Sequence, residues 1–273
     1  MTQPMPWAFS TLGAPGRPVA EHVDRALRHG CTGIELRVHA DESVRTDLSA
    51  RERRDIRDQA SGEGLALPCL AGYARICADV PDAAVLTELR ALIELAYDLG
   101  APAVRVFPGG TGGGTGGEDH GDADRAERRL SALLPEAAAN GVTLLLETHD
   151  SHPTGAAVAS LLRPFTGERA VAAIWDALHP WRHGEQPDET AQALDGLLGY
   201  VQIKDAVSAS DTTPVLLGSG AVPLDVIGRA LDERAWHGWV SLEWERAWYP
   251  HVADLDAVLP GARAWVDQRS RAG

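Results

Sequence analysis

Four stretches of the sequence place polar side chains at the end of an apolar run. They are Glu147 and His149 in LLLETHD, Asp176 and His179 in IWDALHP, Gln202 and Lys204 in YVQIKD, and Glu243, Glu245 and Arg246 in VSLEWER. Residues two apart on a strand share one face, so Gln202 and Lys204 lie side by side on a run that is otherwise apolar. An amide and an ammonium group in such a position indicate a binding or catalytic site.

The carboxylates Glu147, Asp176 and Glu243 predict a cation site. Carboxylates are costly in an apolar setting unless a cation compensates them. Together with the amide of Gln202 they would supply four oxygen ligands. Such a set suits Mn²⁺ or Mg²⁺ better than a structural Zn²⁺, while Co²⁺ and Zn²⁺ stay open. Lys204 would lie beside the cation and stabilise negative charge that develops on a substrate.

Short apolar or β-branched runs alternate with amphipathic helical patterns along the chain. The predicted strands are 7–12, 33–37, 66–70, 103–107, 143–147, 172–176, 200–204 and 239–243, and the predicted helices are 19–29, 49–62, 82–99, 124–140, 154–162, 189–197, 224–234 and 252–268. Eight units without a domain-scale linker predict an α/β fold, a single (β/α)8 TIM barrel domain over 1–273. The alternative is an open doubly wound sheet, but LGAPGR at 12–17 is not the G-x-G-x-x-G fingerprint expected there.

A glycine-rich stretch, GGTGGGTGG at 109–117, interrupts this alternation. It lacks the Gly-Lys-Ser/Thr ending of a phosphate-binding P-loop. It follows the fourth predicted strand, on the face where barrels place their active sites. We expect either a mobile lid over the pocket or a flexible spacer.

Composition limits the partners and the setting. A net charge of −14 over 273 residues disfavours nucleic acid and anionic membranes, because phosphates would be repelled over most of the surface. The three cysteines form no CxxC motif, which favours a reduced, cytoplasmic setting over a disulfide framework. The first residues lack the pattern of a signal peptide, and no apolar run approaches the roughly 20 residues that span a bilayer. We therefore expect a soluble cytoplasmic protein.

Several of these stretches resemble motifs of the sugar phosphate isomerase/epimerase family, which has the xylose isomerase-like TIM-barrel fold. They are ETHD (147–150), WDxxHP (175–180), VQIKD (201–205) and LGxGxVPL (217–224), and the resemblance runs from FSTLGAPG (9–16) and GIELR (33–37) to LEWE (242–245). It implies one divalent metal held by Glu147, Asp176, position 202 and Glu243. The family usually has His at position 202. Gln at this position resembles relatives of the hydroxypyruvate isomerase type and some dehydroshikimate dehydratases, which also have Gln there. The amide oxygen is a harder ligand than imidazole, which favours Mn²⁺ or Mg²⁺.

The resemblance also implies proton transfer on an α-hydroxyketone, in a sugar or sugar phosphate isomerase or epimerase. A bound metal would polarise the carbonyl and lower the pKa of the adjacent C–H. One of Glu147 and Glu243 would remove that proton and the other would return one, by way of an enediolate. The residues expected to bind substrate oxygens or relay protons are Lys204, His149 and His179, and those expected to bind an anionic tail are Arg105, Arg246 and Arg37.

Other interpretations stay open. If His179 protonated a β-hydroxyl leaving group after proton abstraction, the protein would be a dehydratase of the inosose or 3-dehydroshikimate type. A non-catalytic relative that binds a sugar or polyol is a further alternative. Lys204 could instead close the barrel through a salt bridge with Glu243 or Asp205, and Arg105 could pair with Glu35 across it. Relatives often form dimers or tetramers, so self-association is also expected.

Overall fold

The computed structural model describes residues 5–111 and 120–272, which form a closed barrel of parallel strands surrounded by helices. The strands are β1 (Trp7–Ser10), β2 (Gly33–Arg37), β3 (Leu70–Ala71), β4 (Ala103–Val106), β5 (Thr143–Glu147), β6 (Val171–Asp176), β7 (Leu198–Ile203) and β8 (Val240–Leu242). The helices in these residues are α1 (Val19–His29), α2 (Ala50–Gly62), α3 (Asp82–Leu99), α4 (His120–Asn140), α5 (Gly155–Leu162), α6 (His179–Arg182), α7 (Pro187–Ala193), α8 (Leu224–Glu233) and α9 (Leu255–Ala272).

Barrel closure decides between the two folds that the sequence left open. Each strand pairs with its neighbours in chain order, and β1 pairs with β8 through Trp7 opposite Val240 and Phe9 opposite Leu242. An open doubly wound sheet has two unpaired edges, whereas this sheet returns to its first strand. The predicted (β/α)8 barrel is therefore confirmed.

Some element boundaries differ from the prediction for local reasons. The strand predicted at 66–70 is reduced to β3, with Ala66 in an isolated bridge, because Pro68 has no N–H to donate to a ladder. The first strand ends at Ser10, whose hydroxyl accepts a hydrogen bond from Leu12 N at 3.4 Å and begins a 3-10 turn. The sequence pattern also missed α6, which is a single turn.

An apolar layer fills the barrel beneath the strand ends. It consists of Cys69, Ala103, Leu145, Ile174 and Tyr200, all buried. Side chains two positions further along a strand point the same way. The next layer toward the carboxyl ends therefore contains the polar residues two positions beyond this apolar layer, namely Arg105, Glu147, Asp176 and Gln202. The barrel thus brings together polar side chains from separate strands directly above a layer of buried apolar side chains.

Of the glycine-rich segment predicted as a lid or spacer, residues 112–117 lie outside the described residues. Its first residues are held by the turn that follows β5. Gly109 N donates to Asp150 Oδ1 at 2.9 Å, and Gly110 N donates to Ser151 Oγ at 2.9 Å. The segment therefore leaves the barrel at the end where the polar layer lies.

Two further sequence expectations concern the setting of the protein. No helix within residues 5–111 and 120–272 has both the length and the apolarity to cross a membrane. Cys31, Cys69 and Cys77 are buried free thiols, and burial raises the pKa of Cys31 and of Cys77 to about 12. The cytoplasmic location stays a prediction.

A buried arginine holds the segment after β3 against α4. Arg129 is fully buried and donates to the carbonyl oxygens of Ile76 at 2.6 Å, Ala78 at 2.9 Å and Val80 at 2.7 Å. Its Nε donates to Asp82 Oδ1 at 2.8 Å, at the start of α3. Because buried carbonyl groups without donors are costly, this one side chain fixes the course of the connection between β3 and α3.

Replacing Arg129 with Met should lower the free energy of unfolding by about 3 kcal/mol, because three carbonyl groups lose this donor and the Asp82 carboxylate loses one of its two arginine partners. Chemical denaturation monitored by circular dichroism measures the loss. Arg128→Met is the matched control, since Arg128 is exposed and contacts the same Asp82 carboxylate. That control should leave the unfolding midpoint nearly unchanged. Equal effects of the two substitutions would contradict this role of Arg129 in the connection between β3 and α3.

Candidate active site

Three carboxylates from separate strands meet at the carboxyl end of the barrel. Glu147 ends β5, Asp176 ends β6 and Glu243 follows β8, and one oxygen of each lies within 4.8 Å of the others. None of the three residues is more than 4% exposed. Like charges this close in a buried place repel one another, so this carboxylate cluster requires cations.

Two cations of the chain contact the carboxylate cluster. Arg105 on β4 places Nη1 2.9 Å from Glu243 Oε1 and 3.3 Å from Glu147 Oε2. Lys204, the single lysine of the sequence, places Nζ 2.8 Å from Asp176 Oδ2 and also contacts Glu243. The salt bridge from Lys204 to Glu243 considered above is thus present, and Arg105 pairs with the cluster rather than with Glu35.

Negative charge still exceeds positive charge in this region. Glu245 Oε1 lies 2.6 Å from Lys204 Nζ, and Glu35 Oε1 lies 3.1 Å from Gln202 Nε2 next to the cluster. Among the described residues, five carboxyl groups thus lie in or next to the cluster with two cations, Arg105 and Lys204, which leaves three negative charges uncompensated when all five are ionised. A divalent cation would reduce that excess to one, so the charges fit the predicted metal.

The pKa shifts in the cluster have opposite directions. Burial raises the pKa of the Glu147 carboxyl well above its ordinary value, although Arg105 opposes this. Burial also acts to raise the pKa of Glu243, but Lys204 and Arg105 outweigh it and hold that pKa below the ordinary value. Burial acts to lower the pKa of Lys204, yet Asp176 and Glu243 raise it well above the ordinary value. Neighbouring carboxyl groups with opposite shifts are suited to giving and taking a proton.

The amide of Gln202 supplies a fourth oxygen next to the cluster. Gln202 is fully buried on β7, and its Nε2 donates to Glu35 Oε1 at 3.1 Å and to Glu243 Oε1 at 3.2 Å. Its Oε1 is also buried and receives no hydrogen bond from any described residue. A buried carbonyl oxygen without a donor is uncommon. Together with the three carboxylates it makes the oxygen-rich donor set that hard divalent cations prefer.

Two histidines adjoin Glu147. The ring centroids of His149 and His179 are 4.3 Å apart in an edge-to-face arrangement, and a nitrogen of each lies within 4.8 Å of a Glu147 oxygen. Asp176 Oδ1 accepts hydrogen bonds from the N–H groups of Leu178 at 2.8 Å and His179 at 3.2 Å, which fixes the start of α6. Burial, helped by His149, lowers the pKa of His179 well below its ordinary value. Burial therefore favours the neutral form of the His179 imidazole.

The three arginines expected to bind an anionic substrate group all contact carboxylates of the protein. Arg105 contacts the carboxylate cluster, as described. Arg37 is 1% exposed and donates to Glu42 Oε1 at 2.7 Å. Arg246 places Nη2 2.9 Å from Asp254 Oδ1. The structure thus brings Arg105 to the cluster, and no contact between described residues joins Arg37 or Arg246 to it.

A row of rings, which we call the ring wall, lies at the same end of the barrel and was not foreseen from the sequence. Successive centroids are 5.3, 5.7, 4.3 and 4.3 Å apart along His39, Tyr73, Phe107, His149 and His179. These residues follow β2, β3, β4, β5 and β6 in turn. The signal in the sequence was an aromatic or imidazole side chain just beyond the end of each of these five strands.

Asp205 anchors the loop that follows Lys204. Its buried carboxylate accepts hydrogen bonds of 2.8 to 3.1 Å from four backbone N–H groups, those of Ala206, Gly218, Gly220 and Val222. A Cβ at Gly220 would lie 2.3 Å from Asp205 Oδ1, so only glycine fits there. Asp205 thus bonds to the loop rather than to Lys204, and it fixes the backbone next to the lysine.

Comparison with known proteins supports the fold independently. A family model described as a xylose isomerase-like TIM barrel matches residues 23–269. No curated protein matches the chain by sequence.

Solved structures resemble the chain over nearly its whole length. The IOLI protein with a zinc atom is 19% identical, with 98% of this chain and 99% of that one covered and a TM-score of 0.81. The probable 3-DHS dehydratase AsbF of Bacillus anthracis is 19% identical, with 96% and 98% covered and a TM-score of 0.76. D-psicose 3-epimerase with D-tagatose from Clostridium cellulolyticum H10 is 15% identical, with 98% and 99% covered and a TM-score of 0.78. At these identities the likeness is one of fold.

Proposed function

The chain belongs to the xylose isomerase-like TIM barrel family, and we propose that it is a divalent-metal-dependent isomerase or epimerase of a small sugar, polyol or sugar phosphate. The observation that carries this proposal is the meeting of Glu147, Asp176 and Glu243 with the free amide oxygen of Gln202 at the barrel mouth. Enzymes among the similar structures, such as D-psicose 3-epimerase, support it.

These four residues would hold the metal. When bound there, a divalent cation polarises a substrate carbonyl and lowers the pKa of the adjacent C–H. The donor set is one amide oxygen and three carboxylates, which favours Mn²⁺ or Mg²⁺, with Co²⁺ or Zn²⁺ as alternatives.

Glu243 and Glu147 would divide the proton transfer between them. Lys204 and Arg105 hold Glu243 in its ionised form, so it is suited to take the proton from the α carbon. Burial raises the pKa of Glu147, so this carboxylate is suited to bind a proton in the course of the reaction and to return it at the neighbouring carbon or on the opposite face. The reverse reaction would exchange these roles.

The remaining side chains would bind and orient the sugar. The ammonium group of Lys204 would donate a hydrogen bond to the substrate oxygen on which negative charge develops. His149 and His179 would hydrogen-bond to hydroxyl groups of the substrate through their ring nitrogens. The ring wall lies at the same end of the barrel, so its rings would pack against apolar C–H groups of a sugar and help to orient it.

A dehydratase is the second candidate, and the contact between His149 and His179 beside Glu147 favours it. In an elimination, Glu243 would take the proton from carbon. The histidine pair would relay a proton to the departing β-hydroxyl group, each ring taking one at one nitrogen as it gives one from the other, so the proton lost from carbon leaves with the hydroxyl as water. The solved structure of a probable 3-DHS dehydratase shares this fold.

Metal analysis tests the site itself. The purified chain, loaded with Mn²⁺ and desalted, should carry about one ion per chain, and Asp176→Asn or Glu243→Gln should remove most of it because a charged ligand is lost. Glu245→Gln is the matched control, since Glu245 contacts Lys204 but is not in the donor set. Elemental analysis that finds no metal under any loading condition would refute the metal-dependent proposal.

Proton exchange tests the reaction. Incubation with ketoses in D₂O should place deuterium at the α carbon, detected by NMR, and Lys204→Met should lower turnover about 100-fold while metal content stays intact. Unaltered turnover would reduce Lys204 to a structural residue. Loss of water from an inosose or 3-dehydroshikimate, with every ketose and ketose phosphate inert, would favour the dehydratase. Binding of all candidates without any reaction would favour a sugar-binding protein.

A further inference from the structure

Glu35 is a buried acid that the mechanism above does not use. It lies on β2, is fully buried, and its Oε1 accepts a hydrogen bond from Gln202 Nε2 at 3.1 Å. The two residues come from strands on different sides of the barrel, so their contact crosses its interior. Burying a carboxyl group is costly unless it is hydrogen-bonded or paired, so the contact with Gln202 matters for both residues.

The contacts of Gln202 fix which end of its amide is available. The amide nitrogen has two hydrogens, and the structure directs them to two acceptors, Glu35 and Glu243. If the amide were turned over, both hydrogen bonds would be lost and an amide oxygen would face two carboxyl groups. The oxygen Oε1 is therefore the atom left for a ligand, in agreement with its lack of a donor among the described residues.

The hydrogen bond to Glu243 alone would not hold the Gln202 amide in this orientation. As a member of the carboxylate cluster it also contacts Lys204 and Arg105, and metal binding would engage it further. Glu35 makes no ion pair with Lys204 or Arg105 among the described residues, and it is not in the donor set. Its acceptor oxygen Oε1 can hold Gln202 Nε2 even when the other oxygen, Oε2, carries a proton, so the contact does not depend on ionisation.

We propose that Glu35 is a positioning residue that orients the amide of Gln202 with its oxygen toward the carboxylate cluster and so completes the metal site. The inference depends on the metal site of the proposed function. Its consequence is specific to a glutamine at this position, because an amide presents either a donor or an acceptor whereas a carboxylate ligand presents only acceptors. Supporting hydrogen bonds of this kind set metal affinity as well as geometry.

Affinity for Mn²⁺ alone, without substrate, tests the proposal. The full-length chain is stripped with a chelator, and free Mn²⁺ is followed by electron paramagnetic resonance during titration. Glu35→Leu should weaken Mn²⁺ binding about 10- to 100-fold. Glu35→Gln should stay within about threefold of the unmodified chain, because its amide oxygen still accepts from Gln202 Nε2. A loss in Glu35→Gln as large as that in Glu35→Leu would overturn the proposal in favour of a simple charge effect.

A double-mutant cycle shows whether Glu35 acts through Gln202. Gln202→Leu removes the amide, so adding Glu35→Leu to it should change Mn²⁺ affinity by no more than about threefold, since the two effects are not additive. Additive losses would overturn the proposal, as would unchanged affinity in Glu35→Leu.

Melting of the metal-free variants separates misfolding from loss of affinity, and Glu35→Gln remains a test if Glu35→Leu fails to fold. Absence of Mn²⁺ binding by the unmodified chain would refute the proposed function and this inference together, whereas normal binding by Glu35→Leu would refute this inference alone.

Discussion

Charge compensation inside a closed barrel is the constraint on which this site depends. Glu147, Asp176 and Glu243 are buried with oxygens within 4.8 Å of one another, an arrangement that repulsion and desolvation both disfavour. Arg105 and Lys204 relieve part of it. The remaining negative charge explains why the site calls for a further cation. Burial raises the pKa of Glu147, whereas Lys204 and Arg105 lower that of Glu243, so the two glutamates have opposite pKa shifts.

The two-residue period of the strands places these side chains inside the barrel. A floor of apolar side chains and a layer of polar ones alternate along β4 to β7, so Leu145 precedes Glu147 and Tyr200 precedes Gln202. The strand period alone therefore makes the polar layer face inward. The connection between β7 and α8, which Asp205 fixes, then holds the backbone next to Lys204.

Much of this follows from the sequence because strand ends are readable locally. Runs such as LLLETHD identify both the strand and its polar end, and the parallel barrel then requires that such ends share one face. The partners of Arg105 and of Glu35 were not predictable, because they depend on which strands lie opposite after closure. The turn at α6 was missed for another reason, since it is fixed by hydrogen bonds to Asp176 rather than by a helical pattern. Pro68 shortened β3 against its apolar pattern.

Paramagnetic broadening of the one lysine tests most directly whether the acids and the amide surround a shared cation. In a chain labelled with [ε-¹³C]lysine and carrying no lysine-containing tag, NMR should show a single resonance from Lys204. One equivalent of Mn²⁺ should broaden it beyond detection, because the ion would lie next to Asp176 and Glu243, which Lys204 contacts. Diamagnetic Mg²⁺ should only shift it. A lysine resonance that stays sharp and unmoved in excess Mn²⁺ and excess Mg²⁺ would contradict the account.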